Sequence, residues 1–513
     1  MSKHLFKSTS LVGILTMVSR IIGFMRENVF AIVFGASAEM DAFVIAFRIP
    51  NFLRKIFAEG AFAQSFIPVL SEVKMQQSHA ELKILIARVS GTLGLILLGI
   101  SILGILGSNA VAFIFAPSYY FQHPEKFVLL SGLLKIMFPY IFFIALTGFY
   151  CTIQNVFNHY ALPAATPLIL SLCMGWAAIS WTKYFPAHPI EAVAWGVMLA
   201  GVLQLLIQLP HILYLRVLVA PKWGWHDPNV MRIVKQMLPA LFGVSMAQLG
   251  MLIDSMYATF LPTGSVSWLY YADRLMQFPL GVFGIALATV VMPHLSKQIA
   301  LKDIDEFKRA LAWALKLTVV IATPCAVGLA VLAGPIVITL FKYGHRFNEE
   351  DVLMTQQSLW AFALGLFFFI LIKIVVSAFY ARQDMKTPVK VGALAVLTNI
   401  GLNTVLIFPL KQMGLALATS LAAMLNSMLL LWILKRQQLL VVEPSFLRIL
   451  AAGINANLIM AGMLYFLQGS LSVWLQWAAW ERALHLTYLI GCGILLYFGT
   501  LVLLGIRKRD FVI

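Results

Sequence analysis

Arg20, Arg26, Asp41, Arg48, Arg54, Lys55 and Glu59 stand inside the first two apolar segments of the chain. Each arginine or lysine facing lipid near the middle of a span costs roughly 2.5 to 3.5 kcal/mol, so five of them would forfeit about 12 to 17 kcal/mol. A water-filled polar chamber removes most of that cost. The stretch Arg54-Lys55-Ile56-Phe57-Ala58-Glu59-Gly60-Ala61-Phe62 reads as its wall. Clustered cationic groups in such a chamber suit an anion. Asp41, Arg48 and Lys55 are spaced by seven and share one helical face, which Pro50 is expected to kink. Arg20 and Arg26 stand about 120° apart on a straight helix, so their convergence requires a bend, for which Gly23 is the candidate.

A bland reading accompanies each residue. Arg26 and Arg54 would snorkel, or pair with Asp41 or Glu59 to fix the bundle. Lys55 and Glu59 form a four-residue helical pair that serves structure as well as substrate. Ser19 and Ser267 read equally as small packing residues and as polar contacts.

The elements that must carry these charges are membrane spans. Of 513 residues, 61% are hydrophobic and only 11% charged, which places the chain in the polytopic membrane class. Apolar runs near spanning length recur from Leu11 to Leu504, and they count to about fourteen helices. The first span carries Arg20 and Arg26 and no small-residue cleavage site before Asp41, so it is expected to stay in the mature protein. About twenty Lys and Arg fall in the N-terminus, the even-to-odd loops and the tail, against about six on the opposite side, which predicts cytoplasmic termini.

The net charge of +16 is spread over short loops and span interiors, without one basic face, so nucleic acid is not expected as a partner. Cys151, Cys173, Cys325 and Cys492 lie in apolar segments without zinc or redox spacing, and the histidines lack a metal-ligand pattern. Paired catalytic carboxylates, a nucleophile elbow and a phosphate loop are absent, which argues against an enzyme.

At a shift of 225 residues, Pro68-Val69-Leu70-Ser71 aligns with Pro293-His294-Leu295-Ser296, and Pro163 aligns with Pro388. The sequence therefore predicts an all-α polytopic membrane protein of two pseudo-twofold six-helix lobes, 1–220 and 221–440, with two extra helices in 441–513. Repeats of one orientation are related by an axis along the membrane normal, and repeat interfaces are where transporters place substrate. The shift matches Arg20 to Ser245, Arg26 to Met251 and Arg54 to Pro279, so the second lobe has dropped the cationic set. It contributes the pair Asp273-Arg274.

Ser19-Arg20-Ile21-Ile22-Gly23-Phe24-Met25-Arg26, Asp41-Ala42-Phe43, Phe57-Ala58-Glu59-Gly60-Ala61-Phe62, Tyr271-Ala272-Asp273-Arg274 and Phe379 to Pro388 closely resemble the bacterial lipid II flippases of the MurJ (MviN) family. That family sits in the multidrug/oligosaccharidyl-lipid/polysaccharide exporter superfamily, with fourteen helices, two lobes and two extra C-terminal helices. The resemblance implies a substrate, the undecaprenyl-diphosphate-linked disaccharide pentapeptide of peptidoglycan synthesis, carried across the inner membrane by alternating access. It implies diphosphate binding by Arg20, Arg26, Arg54 and Arg274, and an outer gate at Asp41. It leaves Ser19, Arg48, Lys55, Glu59, Ser267 and Asp273 as supporting polar groups. It also matches Asp254, Asn399, Asn403 and Thr419 to a sodium site in the second lobe, with membrane potential as the alternative drive. The last two helices would hold the polyprenyl tail.

Two other functions remain open on sequence. A polysaccharide-unit or drug exporter of the same superfamily shares the architecture, although cationic drugs would favour an acidic cavity. A membrane enzyme acting on polyprenyl-linked sugars would require a catalytic acid or base on a substantial outer loop. The expected partners are lipid II, membrane lipids and other cell-wall synthesis proteins, with the chain as a monomer.

Overall fold

The computed structural model describes residues 3–55, 61–441, 444–507 and 510, and every regular element among them is helical. In chain order the helices are α1 (Lys3–Val33), α2 (Ala38–Arg54), α3 (Ala61–Gln76), α4 (His79–Leu106), α5 (Ser108–Phe115), α6 (Pro117–Gln122), α7 (Pro124–Met137), α8 (Tyr140–Val156), α9 (Ala161–Ser180), α10 (Glu191–Leu206), α11 (Leu209–Tyr214) and α12 (Pro228–Ala258). Then come α13 (Ser265–Pro279), α14 (Ile285–Ala300), α15 (Ile304–Val331), α16 (Ala333–Phe341), α17 (Glu349–Ala381), α18 (Lys386–Arg436), α19 (Pro444–Gln468), α20 (Leu471–Gln476) and α21 (Ala479–Leu503). Ten of the resulting helical stretches are long and apolar enough to cross a bilayer. The protein is an all-α polytopic membrane protein.

Helix starts follow the polar residues that satisfy free amides at an N-terminus. Ser37 accepts from the Met40 amide, Ser78 from Glu81, Asp227 from Asn229 and Val230, and Asp303 from Glu306. Asn348 and Asp351 form a reciprocal capping box at the head of α17.

The 225-residue shift is visible in the helix ends. Lys3–Val33 falls on Pro228–Ala258, His79–Leu106 on Ile304–Val331, and the span Pro124–Val156 on Glu349–Ala381. Helix α18 contains a reversal that the sequence pattern divides into two spans. Lys411 has φ 47° and ψ −129°, outside helical geometry. Asn399 lies 3.2 Å from Thr419. In a continuous helix twenty residues would separate them by about 30 Å, so the chain folds back at Lys411, beside Pro409, as a tight hairpin.

The chain forms two compact units, Met1–Gly264 and Ser265–Ile513. In the first, Phe62, Phe66 and Phe149 stack with ring centroids 5.2 to 6.2 Å apart and join α3 to α8. In the second, Leu295, Phe307, Leu311, Ile374, Phe379, Leu430 and Leu434 form a core shared by α14, α15, α17 and α18.

The segment 217–227, which joins the two repeats, is a strap on α4. Its Lys222 amide donates to the Ala87 carbonyl at 2.8 Å, its Gly224 amide donates to Thr92 Oγ1 at 3.1 Å, and Asp227 pairs with Arg88. Gly91 leaves the space that the Lys222 backbone occupies; a Cβ there would collide with it. The strap fixes the start of α12 within the first unit.

Candidate functional site

In the first unit the cationic residues have different surroundings. Arg20 is half-buried and makes no hydrogen bond or ion pair among the described residues. Ser19 beside it is also half-buried. Helix α1 runs through Gly23 without interruption. Arg26 is packed where α1 meets α9. It pairs with the adjacent Glu27, donates to Ser171 Oγ at 3.4 Å and Met174 Sδ at 3.7 Å, and lies 5.7 Å from the Phe30 ring centre. Only 10% of the Arg26 side chain and 2% of the Glu27 side chain are exposed, so this is a nearly buried ion pair. Sequence reasoning passed over Glu27, because adjacent residues on a helix do not face each other. The available signal was a carboxylate next to an arginine inside an apolar run. Arg54 donates from Nε and Nη2 to Asn51 Oδ1 at 3.1 and 3.0 Å, one turn back on α2.

The stripe Asp41, Arg48 and Lys55 is a real face, and Pro50 is accommodated inside α2. All three residues meet α12 or the turn that follows it. Lys55 Nζ donates to Gln248 Oε1 at 2.7 Å. Arg48 Nη1 donates to both the Met251 carbonyl and Ser255 Oγ, and Ser255 Oγ itself donates to the Met251 carbonyl at 2.7 Å. Asp41, which is 1% exposed, accepts the Gly264 amide at 2.7 Å. Gly264 has φ 97°, a conformation that L side chains rarely adopt. The turn is held further by Ser118 Oγ, donating to the Thr259 carbonyl at 2.7 Å, and by Lys126 Nζ, donating to Thr263 Oγ1 at 2.5 Å. Burial, and then the negative charge of Asp41, push the Tyr119 phenol above its ordinary value. Glu59 lies outside the described residues, and Asp254 is half-buried on α12.

In the second unit, Ser267 is fully buried near the start of α13. Two turns on, Gln277 Nε2 donates to Asp273, and Arg274 Nη1 donates to Gln277 Oε1 at 3.4 Å. The Arg274 guanidinium lies 4.8 Å from the Tyr270 ring centre, a cation–π geometry. An amide, itself held by Asp273, and an aromatic face thus orient Arg274.

The α18 hairpin brings three of the matched polar residues together. Asn399 Nδ2 donates to Thr419 Oγ1 and Asn403 Nδ2 donates to Asn399 Oδ1, each at 3.2 Å, while Thr419 Oγ1 donates to the Leu415 carbonyl at 3.1 Å. Asn399 and Asn403 are buried. Amide and hydroxyl oxygens of this kind suit a hard cation, and the same bonds serve as glue between hairpin arms. No group of three or more His, Cys, Asp or Glu capable of holding a metal occurs among the described residues.

The segment Phe379 to Pro388 divides into core and cap. Phe379 is fully buried in the core described above. Asp384 accepts the Thr387 amide at 3.0 Å and its hydroxyl at 2.7 Å at the head of α18. Burial raises the Asp384 carboxyl, but the two Thr387 bonds, Arg382 and the Lys386 amide outweigh it and hold the group below its ordinary value.

A family model described as lipid II flippase MurJ matches residues 30–484. The chain belongs to the MurJ family. A curated relative from Vibrio cholerae, "Probable lipid II flippase MurJ", is 42% identical over 99% of this chain and 98% of its own length. "Lipid II flippase MurJ" of Burkholderia cenocepacia is 37% identical over 99% of each chain. Among solved structures, "Lipid II flippase MurJ, inward closed conformation" is similar with TM-score 0.81 and 28% identity, over 96% of this chain and 98% of that one. An inward-facing multidrug resistance MATE transporter of the MOP superfamily shares the fold, with TM-score 0.67 and 14% identity over 83% and 98% of the two chains. MurJ membership extends across both compact units, and the Arg20, Arg26, Arg54 and Arg274 positions all fall within the curated alignments.

Proposed function

We propose that this protein is a lipid II flippase, moving the undecaprenyl-diphosphate-linked disaccharide pentapeptide from the cytoplasmic to the periplasmic leaflet of the inner membrane by alternating access. The observation that carries this reading is the near-complete coverage of curated MurJ relatives, joined to intramembrane arginines that an anionic headgroup would neutralise.

Arg20 and Arg274 are the principal diphosphate ligands. Arg20 has its donors free of described partners, and Arg274 is oriented by Tyr270 and Gln277. Arg26, neutralised by Glu27, contributes less direct charge and more to the packing of α1 on α9. Arg54, steadied by Asn51, completes the set. Asp41 acts at the outer mouth, where its bond to the Gly264 amide is made in the closed state and released when the headgroup leaves. Asn399, Asn403 and Thr419 are the seat of a coupling sodium ion, which supplies a charge that the membrane potential drives inward. The protein has cytoplasmic termini.

Purified protein reconstituted with fluorescent lipid II tests the reading. Lipid II is expected to become accessible to an external quencher or enzyme at a rate well above that of empty vesicles. Transport no faster than in empty vesicles, by protein that is folded and correctly inserted, would refute it.

A further inference from the structure

Helix α12 is a repeat partner of α1, matched to it end for end at the 225 shift, yet its described polar bonds tie it to the first unit along its length. Asp227 at its start is held by Arg88, Arg232 in its second turn pairs with Glu72 of α3 at 2.8 Å, and Arg48 of α2 and Lys55 at the end of α2 grip it further on. The last grip has a particular chemistry. Lys55 takes the side-chain oxygen of Gln248, and Arg48 takes the Met251 carbonyl together with the Ser255 hydroxyl. A guanidinium and a hydroxyl both donating to one main-chain carbonyl compete with the helical bond at that point, which is a recognised cause of local bending. Both cations therefore spend hydrogen bonds on α12 within the apolar part of the bundle.

Resting on the flippase reading above, we infer that Arg48 and Lys55 are positioning residues that clip the C-terminal third of α12 to α2, through Gln248, Ser255 and the Met251 carbonyl, and act on this helix and not on the substrate. Gln248 and Ser255 are the receiving half of the clip. The clip makes α12 move with the first unit during transport.

The test separates the helix from the substrate. Lys55→Met, Gln248→Leu, the double variant and the exchanged pair Lys55→Gln/Gln248→Lys are reconstituted with lipid II, and Ser255→Ala serves as the mildest change. The clip predicts that Lys55→Met and Gln248→Leu each lower the transport rate by about ten-fold, that the double variant is no worse than either, and that the exchanged pair regains most of the rate. Lipid II affinity is expected to stay within about two-fold of wild type, because a positioning residue alters turnover and a ligand alters binding. Additive losses, or a fall in affinity confined to the Lys55 variants, would overturn the inference. Hydrogen exchange of the 248–258 amides supplies an arm independent of transport, so failure of the flippase reading is distinguishable from failure of the clip. Faster exchange in Lys55→Met and Ser255→Ala than in wild type supports the clip, and unchanged exchange in both contradicts it.

Discussion

Arg26 and Glu27 show how much a single neighbour alters the meaning of a charge. An isolated intramembrane arginine reads as an anion ligand, whereas one neutralised by a nearly buried carboxylate also braces two helices. Removing the carboxylate leaves a cation with little solvent around it. Glu27→Ala is therefore expected to destabilise the protein by about 3 to 5 kcal/mol, and to do more harm than truncating an exposed loop carboxylate. Thermal unfolding in detergent, with Glu125→Ala on a loop-facing first turn as the comparison, measures this; equal melting temperatures for the two variants would contradict it. Sequence made the arginines legible because charge in an apolar run is conspicuous. It did not reveal their counter-groups, because Glu27, Asn51, Gln248 and Gln277 are recognised only once a helix face and a neighbour are known. Asp41, Arg48 and Lys55 were the favourable case, since a spacing of seven defines a face without further information.

At the level of elements, the long helices and their approximate starts followed from apolar runs of spanning length, and the structure adds the connections that hold them. Short helices such as α5, α6, α16 and α20 were absent from the sequence reading, because a run of six to nine residues carries too little periodicity to separate from a loop. The strap 217–227 has no periodicity at all. Its place on α4 is written instead in Gly91, whose missing side chain makes room for the Lys222 backbone. Gly91→Ala is expected to push the strap off α4 at a cost of about 1 to 3 kcal/mol. Limited proteolysis within 217–227 should then be faster than in wild type, while cleavage of the α18 hairpin stays unchanged. A strap as resistant as wild type would show that α4 yields and the backbone contact is not limiting. The α18 hairpin is the converse case. The apolar length there was read as two spans, and the Asn399 to Thr419 bond gives the reversal its physical content.

For the whole molecule, the repeat and the packing divide the chain at different places. The 225 shift begins the second copy with α12, whereas the compact units part at Gly264 and Ser265. Sequence self-comparison records ancestry of segments and is silent about which neighbour a helix grips. The polar face of α2 and the strap on α4 supply that information, and both are long-range features. Function was legible earlier than either, because the motifs of the MurJ family are contiguous in sequence. The central claim is that a set of intramembrane arginines carries lipid II to the outer leaflet. Complementation of a bacterium depleted of its own lipid II flippase tests it most directly, comparing wild type with Arg20→Ala and Arg274→Ala at matched membrane expression. The account predicts growth with wild type and lysis with either variant; full rescue by both variants would contradict it.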